Sequence, residues 1–281
     1  MPELPEVETV MRGLAGALAG RRLARVEQRR PDLRFPLPER FAARLQGRRI
    51  LGFGRRAKYI LAELDDGVTW LSHLGMSGRM MLGEGPAPEP ERHDHLIVET
   101  DDGQHLIYRD ARRFGFMDLI EAGGLEDHPR LAGLGIEPLG PELTGRRLRA
   151  LFAGRRVPLK AALLDQRRIA GLGNIYVCEA LNRARLHPDR PSGSLSAAEA
   201  RALAKAVRGT LEEAVAAGGS ALGGPLAGSG GVGDFQPSPG GFGRRVRSGR
   251  SGSMRRPARR GWSASPPAPI RSMKPKRLAS R

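Results

Sequence analysis

The first residues of the chain place a secondary amine next to two carboxyl groups. Pro2 is small enough for the initiator Met1 to be removed, which exposes an amine with a reference pKa of about 7.7 to 8.0. Glu3 is adjacent, and Glu6 follows one helical turn later. Such an amine is a usable nucleophile near neutral pH, and the carboxyl groups suit proton donation or orientation. The same residues also suit an ordinary helix start, so their types alone leave both interpretations open.

Lys58 follows two arginines in RRAKYI. By its residue type alone, Lys58 could be a surface lysine at the end of a strand.

Met76 lies in HLGMSGR, where its residue type alone is consistent with packing in the core. Arg112 and Phe114 lie in the arginine-rich segment RDARRFGF, whose composition alone is consistent with a basic hairpin end.

The segment Gly171 to Asn174 separates two runs with helical periodicity. It predicts a tight turn followed by a helix start with Asn174 as the N-cap. Free backbone N–H groups at such a start bind phosphate. An ordinary corner between two helices would have the same residues.

Charge and cysteine content narrow the functional class. The 281 residues carry a net charge of +17, which favours an anionic partner such as nucleic acid. Residues 223–281 contain 13 basic residues and one acid, so most of the excess lies there. The interspersed charges and the acidic N-terminus argue against a membrane span and a signal peptide, and we expect a cytoplasmic protein. Cys178 is the only cysteine, which excludes an internal disulfide and a four-cysteine zinc site.

Hydrophobic periodicity predicts an α+β protein. Residues 5–19 predict a helix, and residues 22–121 alternate in short runs typical of an antiparallel sheet domain. Asp66–Gly67 and Asp102–Gly103 predict hairpins. Helical periodicity returns after residues 133–141. We therefore expect domains at 1–135 and 136–222, followed by a basic, largely disordered tail at 223–281.

Seven motifs follow one another along the chain: MPELPEVETVMRGL, RRAKYI, HLGMSGR, HDH, RDARRFGF, LGIEPLGPEL and LLDQRRIAGLGNIYVCEAL. In content and order they resemble the motifs of bacterial formamidopyrimidine-DNA glycosylases of the endonuclease VIII-like superfamily, and the resemblance covers about residues 1–220. It implies an N-terminal antiparallel β-sandwich domain with an N-terminal helix, then a helix–two-turn–helix domain. It also implies a DNA glycosylase and abasic-site lyase that removes the oxidised purines formamidopyrimidine and 8-oxoguanine from damaged duplex DNA. Such an enzyme is expected to be monomeric and nucleoid-associated and to need no cofactor for the chemistry.

The resemblance further implies roles for individual residues. Pro2 attacks the sugar C1′ and forms an imine, and Glu3 donates a proton to the opening sugar. Glu6 is the second catalytic carboxyl group, expected from its position one helical turn after Glu3 rather than from the resemblance. Lys58 lies by the phosphate and assists elimination. The side chains that fill the hole left by a flipped nucleotide are Met76, Arg112 and Phe114. The DNA-binding residues are His93, Arg112, Arg155 and Asn174. The lesion pocket includes Glu179 and Ser220.

The C-terminal region departs from the family pattern. Members usually end in a zinc finger with four cysteines and a phosphate-binding arginine, whereas this chain lacks those cysteines. We therefore predict no bound metal and consider a second hypothesis, a catalytically weakened DNA-binding remnant. A third hypothesis, RNA or ribosome association through the helix–two-turn–helix module, leaves Pro2 and Glu3 unexplained.

Overall fold

The computed structural model describes residues 2–219, which belong to one compact unit. The N-terminal helix α1 spans Leu4–Leu18, one residue earlier at each end than the predicted 5–19. Its capping box joins Glu3 and Glu6, and its apolar residues Val7, Val10 and Leu14 are buried. The acidic first turn therefore satisfies backbone donors at the helix start while the apolar stripe faces the core.

Eight antiparallel strands form two four-stranded sheets, which confirms the predicted fold class. The first sheet, ordered β1-β6-β7-β5, contains β1 (Leu23–Gln28), β5 (Arg79–Glu84), β6 (Asp94–Thr100) and β7 (Gln104–Arg109). The second sheet, ordered β2-β3-β4-β8, contains β2 (Ile50–Arg56), β3 (Tyr59–Leu64), β4 (Thr69–His73) and β8 (Phe116–Ile120). The two predicted Asp–Gly hairpins connect β3 to β4 and β6 to β7.

The core of this half combines side chains from α1 and both sheets. Large buried residues include Phe41 in the short helix α2 (Phe41–Leu45), Trp70 in β4 and Tyr108 in β7. The ring centroids of Phe41 and Trp70 lie 6.3 Å apart in an edge-to-face arrangement. Burying each large apolar side chain contributes about 1.5 to 3 kcal/mol, so this core fixes α1 and the strand ends that carry the site.

The second half is helical. It contains α3 (Gly145–Phe152), α4 (Leu159–Leu164), α5 (Asn174–Arg183) and α6 (Ala197–Ala216). Ser196 and Glu199 form a capping box at the start of α6, and Thr144 caps α3 through its side chain. These helices enclose their own core, centred on Phe152, Tyr176 and Leu203.

Contacts also run between the two halves, since the Leu4 N–H donates to the Gly171 carbonyl at 3.2 Å. The boundary between 1–135 and 136–222 therefore stays a prediction. The proposed tail at 223–281 lies outside the described residues. No helix within residues 2–219 is long and apolar enough to cross a bilayer.

Candidate active site

Glu3 joins the start of α1 to the start of α5. Its side chain is buried, with the residue only 3% exposed, and its carboxylate accepts hydrogen bonds from the N–H groups of Ile175 (3.0 Å) and Tyr176 (3.5 Å). A Cβ atom on Gly173 would lie 2.2 Å from the Glu3 Cδ atom, so this close approach requires glycine. Pro2, which immediately precedes Glu3, is half-buried at this junction.

The structure corrects two expectations for the start of α5. Gly173 is the N-cap and Asn174 is the first helical residue, so the prediction of Asn174 as N-cap is wrong. The N–H groups of Ile175 and Tyr176 are also not free for phosphate, because the Glu3 carboxylate already accepts from them. A carboxylate from a residue 172 positions earlier caps this helix, which local sequence signals do not reveal.

Glu6 fixes the peptide that carries Pro2 and Glu3. One Glu6 oxygen accepts the Glu3 N–H at 2.7 Å, and the other accepts a hydrogen bond from the Tyr176 hydroxyl. The Gly219 backbone lies close to the Glu6 side chain, since a Cβ there would be 3.1 Å from Cγ. Glu6 thus has the geometry of an orienting group for the N-terminus.

Burial raises the pKa of Glu3 above its ordinary value. The Ile175 N–H and the Lys58 ammonium oppose this effect, while the Glu6 carboxylate adds to it. A raised pKa keeps a larger fraction of the carboxyl group protonated near neutral pH than in water. Glu3 is therefore suited to donate a proton.

Lys58 lies opposite this acidic pair. It follows Ala57, which adopts a left-handed conformation (φ 52°) in the turn between β2 and β3, and it is only 9% exposed. Burial lowers the pKa of Lys58, and the charges of Glu3 and Glu6 oppose that shift. The lysine lines a cavity of about 450 Å³ together with Asn174. The structure thus brings Lys58, Asn174, Glu3 and Glu6 into one region.

An ion-pair network that the sequence analysis missed holds the turn before Lys58. Glu137 accepts hydrogen bonds from Arg55 (2.9 Å), Arg56 (2.7 Å) and the Ala57 N–H (2.7 Å). Arg55 also donates to Glu8 of α1 at 2.6 Å. The paired arginines and the acid in LGIEPLGPEL were visible in the sequence, but their contact spans about 80 residues.

His73 is a second site residue that the sequence analysis did not assign. Its Nδ1 accepts the Gly75 N–H at 3.0 Å, and its ring stacks on Phe116. Burial, together with the positive charges of Lys58, Arg34 and Arg130, lowers the pKa of His73 to about 4. The ring is therefore neutral at neutral pH, and because Nδ1 accepts, the proton resides on Nε2.

The three predicted void-filling side chains meet at one cavity of about 540 Å³, which His73 also lines. Met76 is 44% exposed and Phe114 39%, so the core-packing interpretation of Met76 is wrong. The Arg112 guanidinium carbon lies 4.4 Å from the centroid of the Phe114 ring. Two exposed apolar side chains that line one cavity with a guanidinium are suited to enter a base stack.

The other predicted site residues lie elsewhere. His93 and Arg155 are absent from the linings of both cavities, and Arg155 is exposed between α3 and α4. Glu179 is buried on α5, where its carboxylate accepts a hydrogen bond from Arg183 at 2.8 Å. Ser220 lies outside the described residues.

The side chains of this protein do not fit the four-cysteine zinc finger that the resemblance implies. A four-cysteine site is impossible because Cys178 is the only cysteine of the chain. Residues 2–219 contain no group of three or more histidine, cysteine, aspartate or glutamate side chains arranged to hold a metal ion. The absence of bound zinc stays a prediction.

Comparisons with known proteins agree on one family. The family model described as the formamidopyrimidine-DNA glycosylase N-terminal domain matches residues 1–117, and the formamidopyrimidine-DNA glycosylase H2TH domain matches residues 134–224. The chain is 55% identical over 241 residues to formamidopyrimidine-DNA glycosylase of Methylobacterium nodulans, covering 79% of this chain and 81% of the relative. It is 51% identical over 275 residues to that of Cereibacter sphaeroides strain ATCC 17029, covering 94% and 97%.

Solved structures show the same similarity. The MutM (Fpg) protein of Thermus thermophilus superimposes with a TM-score of 0.70 at 41% identity, covering 80% of each chain. The Lactococcus lactis formamidopyrimidine-DNA glycosylase, bound non-covalently to DNA containing an abasic site, gives a TM-score of 0.72 at 35% identity, with 79% of this chain and 83% of that chain covered.

Proposed function

The chain belongs to the formamidopyrimidine-DNA glycosylase family and is a DNA glycosylase of base excision repair; we propose that it removes oxidised purines, formamidopyrimidine and 8-oxoguanine, through an imine on Pro2. The same centre then cleaves the strand at the resulting abasic site. Its partner is damaged duplex DNA, which it binds as a nucleoid-associated monomer in the cytoplasm.

In the proposed reaction, the Pro2 nitrogen attacks C1′ as the glycosidic bond breaks, and the amine proton passes to the departing base. The C1′–O4′ bond then opens, O4′ takes a proton from Glu3, and the nitrogen lone pair forms the iminium bond. Loss of the C2′ proton expels the 3′ phosphate, a second elimination expels the 5′ phosphate, and water releases Pro2. The raised pKa of Glu3 supports its role as the donor.

Lys58 supplies the positive charge for the phosphate steps. Lys58 lines the cavity and is influenced by the charges of Glu3 and Glu6, and its burial strengthens the interaction of its ammonium group with an expelled phosphate oxyanion. Asn174 lines the same cavity and contacts the DNA backbone through its side chain, since Glu3 already occupies the nearby N–H groups. His93 and Arg155 bind phosphates farther along the duplex, and Glu179 and Ser220 contribute to the lesion pocket.

Base flipping requires a group that fills the vacated stack. Met76 and Phe114 are exposed apolar side chains, and Arg112 lies against the Phe114 ring, so the three can enter the helix together. Arg112 then offers hydrogen bonds to the orphaned partner base.

The observation that carries the proposal is the buried Glu3 carboxylate held against α5 directly after Pro2. The test is borohydride reduction of the protein mixed with an abasic-site duplex, followed by peptide mapping. We expect a covalent adduct on the N-terminal peptide that starts at Pro2. A Pro2→Gln chain, which retains Met1, should give little adduct. An equal adduct yield from that variant, or an adduct mapped to another peptide, would contradict the proposal.

The missing zinc-finger cysteines favour a second candidate, a catalytically weakened DNA-binding member of the family. Multiple-turnover excision of 8-oxoguanine distinguishes the two. A protein that prefers lesion DNA but does not turn over supports the weakened form.

A further inference from the structure

The void-filling residues lie on two separate loops that pack back to back. Met76 lies on the loop at residues 74–78, and Arg112 and Phe114 lie on the loop at residues 111–115. Gly75 has a φ of +62°, and a Cβ atom there would lie 2.2 Å from the Phe114 carbonyl carbon. The loop backbones therefore touch, although 36 residues separate Gly75 from Ala111 in the sequence.

One carboxylate connects both loops. The Oδ1 atom of Asp110 accepts hydrogen bonds from the Ser77 hydroxyl of the first loop and from the Arg112 N–H of the second loop (3.2 Å). Its Oδ2 atom accepts the Gly115 N–H at 2.8 Å and the Tyr108 hydroxyl at 3.1 Å. The Arg112 N–H also lies 3.2 Å from the Ser77 hydroxyl oxygen.

The first sheet anchors Asp110 itself. The residue directly follows β7, is fully buried, and donates its N–H to the His93 carbonyl at 3.0 Å. Its carbonyl is 2.8 Å from His95 Nε2. Within residues 2–219 no arginine, lysine or histidine forms an ion pair with the Asp110 side chain, so hydroxyl and backbone donors surround this carboxylate.

We propose that Asp110 is a positioning residue that makes Met76, Arg112 and Phe114 act as one unit when they fill the stack. This inference rests on the proposed function, because it assigns Asp110 to the void-filling step. The tether keeps the two loops in register, so that less conformational freedom is lost when a nucleotide flips and the side chains enter the stack. Without it, each loop must be ordered separately on the DNA.

Asp110→Asn is the diagnostic variant because it keeps the shape of the side chain. An asparagine has one acceptor oxygen, and its amide donates, so it cannot accept from donors on both sides. The variant therefore loses a hydrogen bond from the donors that face either Oδ1 or Oδ2. Because a hydrogen bond to a charged group is lost, we expect the preference for lesion over undamaged duplex to fall about ten- to a hundredfold. Base excision from intact lesions should fall more than cleavage of preformed abasic sites.

The matched control is Leu106→Ala, which creates a cavity at a buried position of β7, the strand that precedes Asp110. It should lower thermal stability while it leaves lesion preference and the ratio of the two activities at the wild-type values. Ser77→Ala is the second variant; it detaches the first loop from Asp110 and leaves in place the hydrogen bonds that Asp110 accepts from the Arg112 and Gly115 N–H groups of the second loop. It should lower lesion preference in the wild-type background and have no further effect in Asp110→Asn.

Amide hydrogen exchange of the free protein tests the tether without DNA. We expect the Arg112 and Gly115 amides to exchange at least about tenfold faster in Asp110→Asn, while amides within β7 stay protected. Unchanged exchange at both amides, or a lesion preference of Asp110→Asn equal to that of Leu106→Ala, would overturn the inference. A wild-type protein without any lesion preference would instead overturn the proposed function, and the exchange result would still decide the tether.

Discussion

Replacing Gly173 by alanine tests whether the contact between Glu3 and α5 builds the active site. The new Cβ atom would lie 2.2 Å from Glu3 Cδ and 2.4 Å from Oε1. Gly173 has an extended backbone (φ −132°), so alanine itself is unstrained there and the effect is purely a collision with the Glu3 carboxyl group. Either α5 or the Pro2–Glu3 segment must shift by about 1.3 Å for the contact to reach the van der Waals range, which begins at about 3.5 Å.

The expected losses of stability and of activity follow from the hydrogen bond that this shift breaks. The Glu3 carboxylate loses the 3.0 Å hydrogen bond from Ile175, and a hydrogen bond to a charged group is worth about 1.5 to 3 kcal/mol. For a chain of this size, 1 kcal/mol corresponds to roughly 2 to 4 °C in the melting temperature, so we expect a decrease of about 3 to 12 °C. Because a 1 Å displacement of a reacting group costs about a hundredfold in rate, imine formation should fall by a similar factor.

The matched control is the same substitution at Gly209 in α6, where a new Cβ atom has no neighbour within 4 Å. Gly209→Ala should raise stability by about 0.4 to 1 kcal/mol and leave activity unchanged. The assays are thermal unfolding and single-turnover borohydride trapping. If Gly173→Ala behaves like Gly209→Ala in both, the carboxylate contact is not what positions Pro2.

Four further predictions concern other parts of the molecule. Lys58→Ala should reduce strand cleavage at preformed abasic sites more than borohydride trapping there, because Lys58 is assigned to the expelled phosphates and Pro2 to the covalent step; an equal loss of cleavage and trapping contradicts this division. The pKa of His73 is about 4 in the folded state, below its ordinary value of 6.5, so the unfolded state binds more protons between pH 4 and pH 6.5. The free energy of unfolding therefore falls as the pH decreases through this range, by up to about 3 kcal/mol. His73→Phe should flatten that dependence in urea unfolding at pH 5 and pH 7, and an unchanged slope refutes the assignment. Elemental analysis of the purified protein should find no stoichiometric zinc. Removal of residues 223–281 should weaken binding to any DNA and reduce the salt dependence of that binding, while the preference for lesion DNA is retained.

Local sequence patterns predicted the helices and hairpins well. The apolar stripe and acidic first turn of α1, and the two Asp–Gly hairpins, depend on neighbours within a few residues, and the structure contains them. Local signals failed at the start of α5. Asn174 has the right side chain for an N-cap, but the Glu3 carboxylate satisfies the helix donors and Gly173 becomes the cap.

The missed residues share a physical reason. Glu137 and Asp110 were ordinary acids in the sequence, since nothing near them shows which donors they meet. Glu137 binds a turn about 80 residues away, and Asp110 binds Ser77 across 33 residues. Contacts of this kind depend on how the strands pair and the halves pack, and residue type does not specify them.

The helices and strands, the net charge, the lack of zinc-binding cysteines and, through its motifs, the family can all be read from the amino-acid sequence. Those properties depend on composition and on the spacing of nearby residues. Three other features follow only from the packing of distant segments: Glu3 caps α5, Met76 is exposed at the cavity that Arg112 also lines, and burial shifts the pKa values of Glu3 and Lys58. Hydrogen-bond partners and solvent exclusion arise when distant segments pack together, so they are set by the folded chain as a whole.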